Sequence, residues 1–238
     1  MKSIFLILSL FAGINTFAQQ GFLNGIFTAA NGTQLTQQNM TDGLMEALKT
    51  GINIASANAS KKDGFFKNQE IFIPFPKEAE KVRTTLESIG LKPQVDDFIM
   101  KLNRAAEKAA EKSAPIFLDA LKQMTITDAL TILQSKNDAA TQYLKSKTTE
   151  PLTKTFAPVI NDALKETGAV QAWKVLAENY NKVPFVKKVN PDLGKYTTER
   201  AITGIFILVS QEEMKIRKDP AAAANQIINT VFGAFTGN

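Results

Sequence analysis

The stretch Ala201-Ile202-Thr203-Gly204-Ile205-Phe206-Ile207-Leu208-Val209 decides the fold. In a helix this sequence is apolar on nearly every side, and such a helix is stable when other elements surround it. Thr197 or Thr198 is placed to cap its N-terminus. We therefore predict an all-α protein, a compact single-domain helical bundle in which about eight to ten helices pack around residues 201–209.

Helical patterns extend from this central segment through most of the chain. Apolar residues recur at spacings of three and four over residues 40–59 and again over residues 95–109, which predicts two amphipathic helices. Gly90, with Pro93 just beyond it, marks the end of a helix between them. Further helices are predicted to begin at Pro115, Thr127, Asp138, Pro151, Ala169 and Pro220.

Residues 65–76 are the aromatic, proline-containing part of the chain, and we call them the strap. Pro74 and Pro76 have no backbone N–H and disfavour a helix before them, so the strap is predicted to be extended. Its large apolar side chains either fill the core or border a pocket. Residues 183–191 are a second extended candidate and can pair with residues 71–73, which gives at most a two-stranded β-sheet.

The first 18 residues have the pattern of a signal peptide. Met1-Lys2-Ser3 is a short basic start, residues 4–14 are apolar, and cleavage is predicted after Ala18. The apolar run is too short to cross a bilayer, which takes roughly 20 residues. We therefore predict an exported protein, periplasmic or extracellular, with no transmembrane segment in the mature chain. Its predicted parts are a signal peptide over residues 1–18, a flexible N-terminal arm over residues 19–35 and a single helical domain over residues 36–238.

The composition excludes several classes of function. The 238 residues include no Cys and no His, which excludes disulfides, zinc sites of the Cys/His type and imidazole-dependent catalysis. We expect no cofactor and no metal ion. The net charge is +5, but the arginines are scattered without a basic stripe, which argues against nucleic acid as a partner. They are Arg83, Arg104, Arg200 and Arg217.

Glu213 is the most informative ionisable residue. It falls within the apolar stripe of the helix that contains residues 201–209, and Arg217 follows one turn later on the same side. A buried carboxylate has to be paired or neutralised. Two interpretations are open: an internal ion pair of Glu213 with Arg217, which we favour, or an acid that faces a cleft.

Two other helices carry polar clusters. Asn103, Arg104 and Glu107 fall opposite or beside the apolar face of their helix, so we predict a solvated surface there. Asp138 stands at the start of its own helix and is predicted to be its N-cap.

Six segments occur in a characteristic order along the chain. They are Asp63-Gly64-Phe65-Phe66-Lys67-Asn68, Ile71-Phe72-Ile73-Pro74-Phe75-Pro76, Asn103-Arg104-Ala105-Ala106-Glu107, Asp138-Ala139-Ala140-Thr141-Gln142-Tyr143-Leu144, Asn190-Pro191-Asp192-Leu193 with Tyr196-Thr197, and Glu212-Glu213 with Ile216-Arg217-Lys218-Asp219-Pro220. In these segments the chain resembles DUF4197, a family of exported bacterial proteins of unknown function. The resemblance implies export and a compact helical domain, but no reaction, ligand or catalytic residue.

We expect a non-catalytic binding or interaction protein of the bacterial cell envelope, because no catalytic motif is present and the strap can border a groove. The expected partner is an apolar small molecule or another envelope protein. The alternative is a carboxylate-dependent hydrolase of envelope glycan or peptide, in which Glu213 acts with Glu107 or Asp138. We assign no catalytic residue, and the candidate ligand-binding residues are Asn103, Arg104, Glu107, Asp138, Gln142, Tyr143, Glu213 and Arg217.

Overall fold

The computed structural model describes residues 26–28, 34–135, 137–181, 185, 188, 192–220 and 226–236. Helices dominate these residues, which confirms the predicted all-α class. The strands are β1 (Ile26–Thr28) and β2 (Gln34–Thr36). The helices are α1 (Gln37–Ser60), α2 (Glu80–Ser88), α3 (Lys92–Ala110), α4 (Ser113–Lys122), α5 (Ile126–Gln134), α6 (Ala139–Glu166), α7 (Ala169–Asn181), α8 (Leu193–Lys218) and α9 (Gln226–Thr236), with a 3-10 turn at Lys77–Ala79 before α2.

Helix α8 contains the predicted central segment and packs against α1, α3 and α6. Ala201 and Ile205 have no exposed surface. Gly204 allows the strap to approach, because a Cβ at this position would lie 2.7 Å from the ring of Phe65. One edge of α8 is open, since Thr203 is exposed and Ile207 is half-buried. Residues 201–209 are therefore the centre of the bundle, as predicted, but they are not enclosed on every side.

The strap is folded differently in its two parts. The first part of the strap, residues 65–71, lies mainly in turns, as do residues 61–64 just before it, and residues 72–76 have no regular secondary structure. Within these turns Asp63 has a left-handed backbone, with a φ of 68°. The prediction of an extended chain from residue 65 is therefore wrong for the first part of the strap. Its side chains fill the core, since Phe65 and Ile73 are fully buried.

The short β-sheet lies at the N-terminal end of the described chain. Strand β1 pairs antiparallel with β2, with Ile26 opposite Thr36 and Thr28 opposite Gln34. These strands belong in part to the segment predicted to be a flexible arm, and the rest of that arm lies outside the described residues. Residues 71–73 form no strand, so the predicted pairing with residues 183–191 is not made in the described part of the chain.

Helix α6 runs without interruption through Pro151 and Pro158, although the sequence predicts a new helix at Pro151. Each proline removes one backbone hydrogen bond of the helix. Burial of a side chain at every fourth position offsets this loss, because α6 packs against α3, α4 and α8 along its length. These side chains are Leu144, Thr148, Leu152, Phe156, Ile160 and Leu164.

Two helices begin with a capping box, in which the first and fourth residues bond each other's backbone. Thr36 caps α1 together with Asn39. Thr125 caps α5 together with Asp128, two residues before the predicted start at Thr127. Among the described residues, no helix has the length and apolarity that a bilayer crossing requires.

Candidate functional site

The carboxylate of Glu213, on α8, lies at the N-terminus of α6, and its side chain is only 3% exposed. Its Oε1 accepts a hydrogen bond from the backbone N–H of Ala140 at 3.0 Å. Its Oε2 accepts bonds from the backbone N–H and the hydroxyl of Thr141 at 2.8 and 2.7 Å. The first N–H groups of a helix have no partner within it, and this end of a helix favours negative charge. Glu213 therefore caps α6 from a different helix.

Asp138 occupies the N-cap position of α6, as predicted, but its side chain makes no capping bond. Its backbone is left-handed, with a φ of 71°. The Asp138 carboxylate instead accepts a hydrogen bond from the side-chain amide of Gln142 at 3.1 Å. The expected capping role of Asp138 thus belongs to Glu213, which approaches the same N–H groups from the core.

Arg217 compensates the charge of Glu213. Its Nε and Nη2 lie 3.0 and 2.9 Å from Glu213 Oε1. Nη2 also donates to the carbonyl of Ile132, at 3.0 Å, near the end of α5. This is the internal ion pair that the sequence analysis favours. The hydrolase alternative requires a carboxylate at Glu213 that faces substrate, and this geometry does not support it.

Asn103, on α3, is fully buried and bonds the backbone of the strap. Its Oδ1 accepts a hydrogen bond from the N–H of Ile73, and its Nδ2 donates to the carbonyl of Ile73, both at 2.9 Å. Nδ2 also donates to the carbonyl of Ile99 at 2.9 Å. The Asn103 amide thereby satisfies both backbone polar groups of Ile73, as a neighbouring strand would.

Glu107 lies one turn further along α3, against the start of the strap. Its Oε1 accepts hydrogen bonds from the backbone N–H groups of Phe65 and Phe66 at 3.1 and 3.2 Å. Its Oε2 accepts a bond from Arg104 at 2.6 Å. The predicted solvated surface is therefore wrong at Asn103 and Glu107, because the strap covers this side of α3.

Arg104 joins this cluster to Asp63, with 2.5 Å between Nη2 and Oδ1. The Asp63 carboxylate also contacts Lys67 at 2.9 Å. Hydrogen bonds from Lys67 first, and then from Arg104, lower the pKa of Asp63. The guanidinium of Arg104 stands over the ring of Phe66, 5.4 Å from its centre. Arg104 is thus fixed by two residues of the turn that begins the strap, Asp63 and Phe66, and by Glu107 on its own helix.

Two buried carboxylates, Glu107 and Glu213, each bind backbone N–H groups and an arginine in the same way. Each binds the N–H groups of the second and third residues after a left-handed aspartate, Asp63 in one case and Asp138 in the other. Each is also bonded to an arginine on its own helix. Two backbone donors and one guanidinium compensate a buried carboxylate charge. Each cluster joins two segments that are distant along the chain. Sequence reasoning missed the structural role of the cluster around Glu107.

Tyr143 stands apart from both clusters. Its hydroxyl is buried and has no hydrogen-bond partner among the described residues. Burial raises the pKa of this phenol. The ammonium of Lys147 lies 5.7 Å from the centre of its ring.

An apolar cavity of about 160 Å³ lies between the strap, α2, α3 and α7. Three aromatic rings form one side of it: Phe75 meets Trp173 edge-on at 5.6 Å, and Phe98 stacks on Trp173 at 6.0 Å. We call this cavity the aromatic pocket, and its other lining residues are Leu86, Leu91, Gln94 and Val95. None of the eight predicted ligand-binding residues lines it.

A groove of about 550 Å³, which we call the strap groove, lies beside the strap. Phe75 lines both the groove and the aromatic pocket. The remaining residues of the strap groove are Phe72, Pro74, Lys77, Glu80, Arg83 and Ile99.

A second groove, of about 480 Å³, runs between α6 and α8 and includes Asp138 and Gln142 from the predicted set. Several hydroxyl groups along it are already engaged within the protein. Thr149 and Thr203 donate to carbonyls of their own helices, and Thr141 donates to Glu213. These three hydroxyl groups are therefore not free to donate to a ligand. In the described part of the chain, no three acidic residues are grouped so that they could hold a metal ion.

The family model described as "Protein of unknown function (DUF4197)" matches residues 34–233. This range contains both carboxylate clusters, the strap and the aromatic pocket. No curated protein and no solved structure matches the chain.

Proposed function

The chain belongs to the DUF4197 family, and we propose that it is a non-catalytic binding protein that holds the apolar part of a small molecule in the aromatic pocket. The observation that carries this proposal is the pocket itself, a concave apolar space bounded by Phe75, Phe98 and Trp173 with one amide, Gln94, at its edge. Ligand sites commonly combine apolar and aromatic walls with a few polar groups.

The size of the pocket limits what enters it. An apolar cavity of about 150 Å³ accommodates a benzene-sized molecule. The aromatic pocket, with about 160 Å³, therefore suits one ring or the end of an alkyl chain. A longer molecule would have to continue outside it.

Helix α2 gives the ligand a route into the pocket. None of its residues is buried, although Leu86 lines the pocket and packs on the core. The helix ends at Ser88, and the turn after it contains Gly90, whose φ of 85° is a backbone conformation that suits glycine. An element with so few buried contacts opens locally at low free-energy cost. We infer that α2 moves outward when the ligand enters.

Binding is expected to change the fluorescence of Trp173, because this residue is the only tryptophan of the chain and forms part of the pocket. The measurement is a titration with 1-octanol, followed by Trp173 emission and by calorimetry. We expect saturable binding. The absence of both signals up to the solubility limit of 1-octanol would contradict the proposal.

The variant Leu86→Phe is expected to weaken 1-octanol binding by about tenfold or more, because the larger side chain occupies the pocket. Leu118→Phe is the matched control, since Leu118 is a half-buried leucine on α4 outside the pocket. It should bind 1-octanol as the parent protein does. Equal weakening in both variants would show that the probe binds elsewhere.

Export is part of the same proposal and rests on the signal-peptide pattern of residues 1–18. When the full chain is produced in a bacterial host, the mature protein in the periplasm or medium is expected to begin at Gln19. N-terminal sequencing of the purified protein checks this. A cytoplasmic product that retains Met1 would contradict export without affecting the proposed binding.

A further inference from the structure

We infer that the ligand of the aromatic pocket is an anionic amphiphile, with its alkyl end in the pocket and its anionic head beside Lys77 in the strap groove. This inference rests on the proposed function and names the class of ligand. It follows from the position of Phe75, which belongs to both cavities, and from the charges along the groove.

The strap groove meets the aromatic pocket at Phe75, and the groove is itself mainly apolar. Phe72, Pro74 and Ile99 line it together with Phe75. An alkyl chain that fills the pocket and passes Phe75 would thus remain on apolar side chains. The charged residues of the groove then determine which head group is accepted.

The groove contains three charged residues, Lys77, Glu80 and Arg83, and the charges of Glu80 and Arg83 neutralise each other. Arg83 is bonded to Glu80, and it also lies 2.9 Å from the carboxylate of Glu87. The hydrogen bond to Glu80 is the main cause that raises the pKa of Arg83. Two carboxylates therefore compensate the charge of Arg83, which leaves it less attractive to a ligand anion than an unpaired cation is.

Lys77 is the remaining charge of the groove. It is exposed and has no ion pair within the described residues. Lys77 lines a mainly apolar groove, and the best complement to that combination is one negative charge attached to an apolar chain. A carboxylate and a phosphate monoester both supply such a charge.

The experiment compares octanoate with 1-octanol, which have chains of equal length and differ in the charge of the head group. Trp173 emission reports the binding of both. An exposed ion pair contributes modestly, so we expect octanoate to bind about threefold to fivefold more tightly at low salt. Added NaCl should reduce this preference, because it screens exposed charges. Octyl phosphate, titrated in parallel, tells which anionic head the groove prefers.

The variant Lys77→Gln is expected to remove the preference for octanoate and to leave the affinity for 1-octanol unchanged. Lys81→Gln is the matched control, because Lys81 is an exposed lysine on α2 that does not line the groove. It should keep the preference. Thermal unfolding checks that both variants are folded. We expect unchanged stability, since Lys77 and Lys81 are exposed and have no ion pair among the described residues.

Results that contradict the head-group inference differ from results that contradict the proposed function. Equal affinities of the parent protein for octanoate and 1-octanol, or a preference that Lys77→Gln retains, would overturn the head-group inference and leave the pocket in place. Absence of binding for every probe would overturn the proposed function itself.

Discussion

The variant Glu213→Ala is expected to lower the free energy of unfolding by about 3–5 kcal/mol, the cost of removing one partner of a buried ion pair. The substitution leaves the guanidinium of Arg217, whose side chain is 11% exposed, without its carboxylate. It also leaves the N–H groups of Ala140 and Thr141 without an acceptor at the start of α6. The measurement is urea unfolding followed by circular dichroism and by Trp173 emission.

Two further variants separate this explanation from a general effect of mutating α8. Glu199→Ala removes a carboxylate of the same helix that is 66% exposed, and it should change the free energy of unfolding by less than about 0.5 kcal/mol. Adding Arg217→Ala to Glu213→Ala should cost little more, because the unpaired charge is removed with its side chain. Fully additive costs of the two substitutions would contradict the coupling.

The variant Asn103→Leu is expected to lower the free energy of unfolding by about 2–4 kcal/mol, because it leaves the N–H and the carbonyl of Ile73 buried without partners. Leucine has a similar volume, so the change tests hydrogen bonding more than cavity formation. Urea unfolding measures the loss. Hydrogen exchange should show faster exchange at Ile73 than in the parent protein.

Asn53→Leu is the matched control for this substitution. Asn53 lies on the exposed side of α1, so the same chemical change there removes no buried bond. Its effect should stay within about 0.5 kcal/mol. A similar loss in both variants would mean that leucine itself, and not the lost strap contact, destabilises the chain.

The parts of the fold that depend on local signals could be predicted from the sequence. Residues 201–209 identify the central helix because burial on nearly every side requires an apolar side chain at almost every position. Thr36 precedes a regular apolar pattern and caps α1. Pro151 misleads because a proline signals a helix start locally, whereas burial of Leu152 and Phe156 stabilises α6 through it.

The polar clusters are harder to predict, because their partners are distant along the chain. Helical periodicity places Asn103 and Glu107 beside the apolar face of α3, but it cannot show that the strap covers them. Glu107 bonds residues about 40 positions earlier, and Glu213 bonds residues more than 70 positions earlier. A signal was present in the Asp63-Gly64 pair, which is typical of a tight turn that presents unpaired N–H groups.

The cap that Glu213 provides has a consequence for the order of folding. Helix α6 receives its N-terminal acceptor from a residue that is synthesised 73 positions later than Ala140. Until α8 has been synthesised, a nascent chain lacks that acceptor. It also lacks the central helix against which α1, α3 and α6 pack. We therefore expect cooperative folding only in the last quarter of synthesis, so that most of the nascent chain stays without its final packing until then.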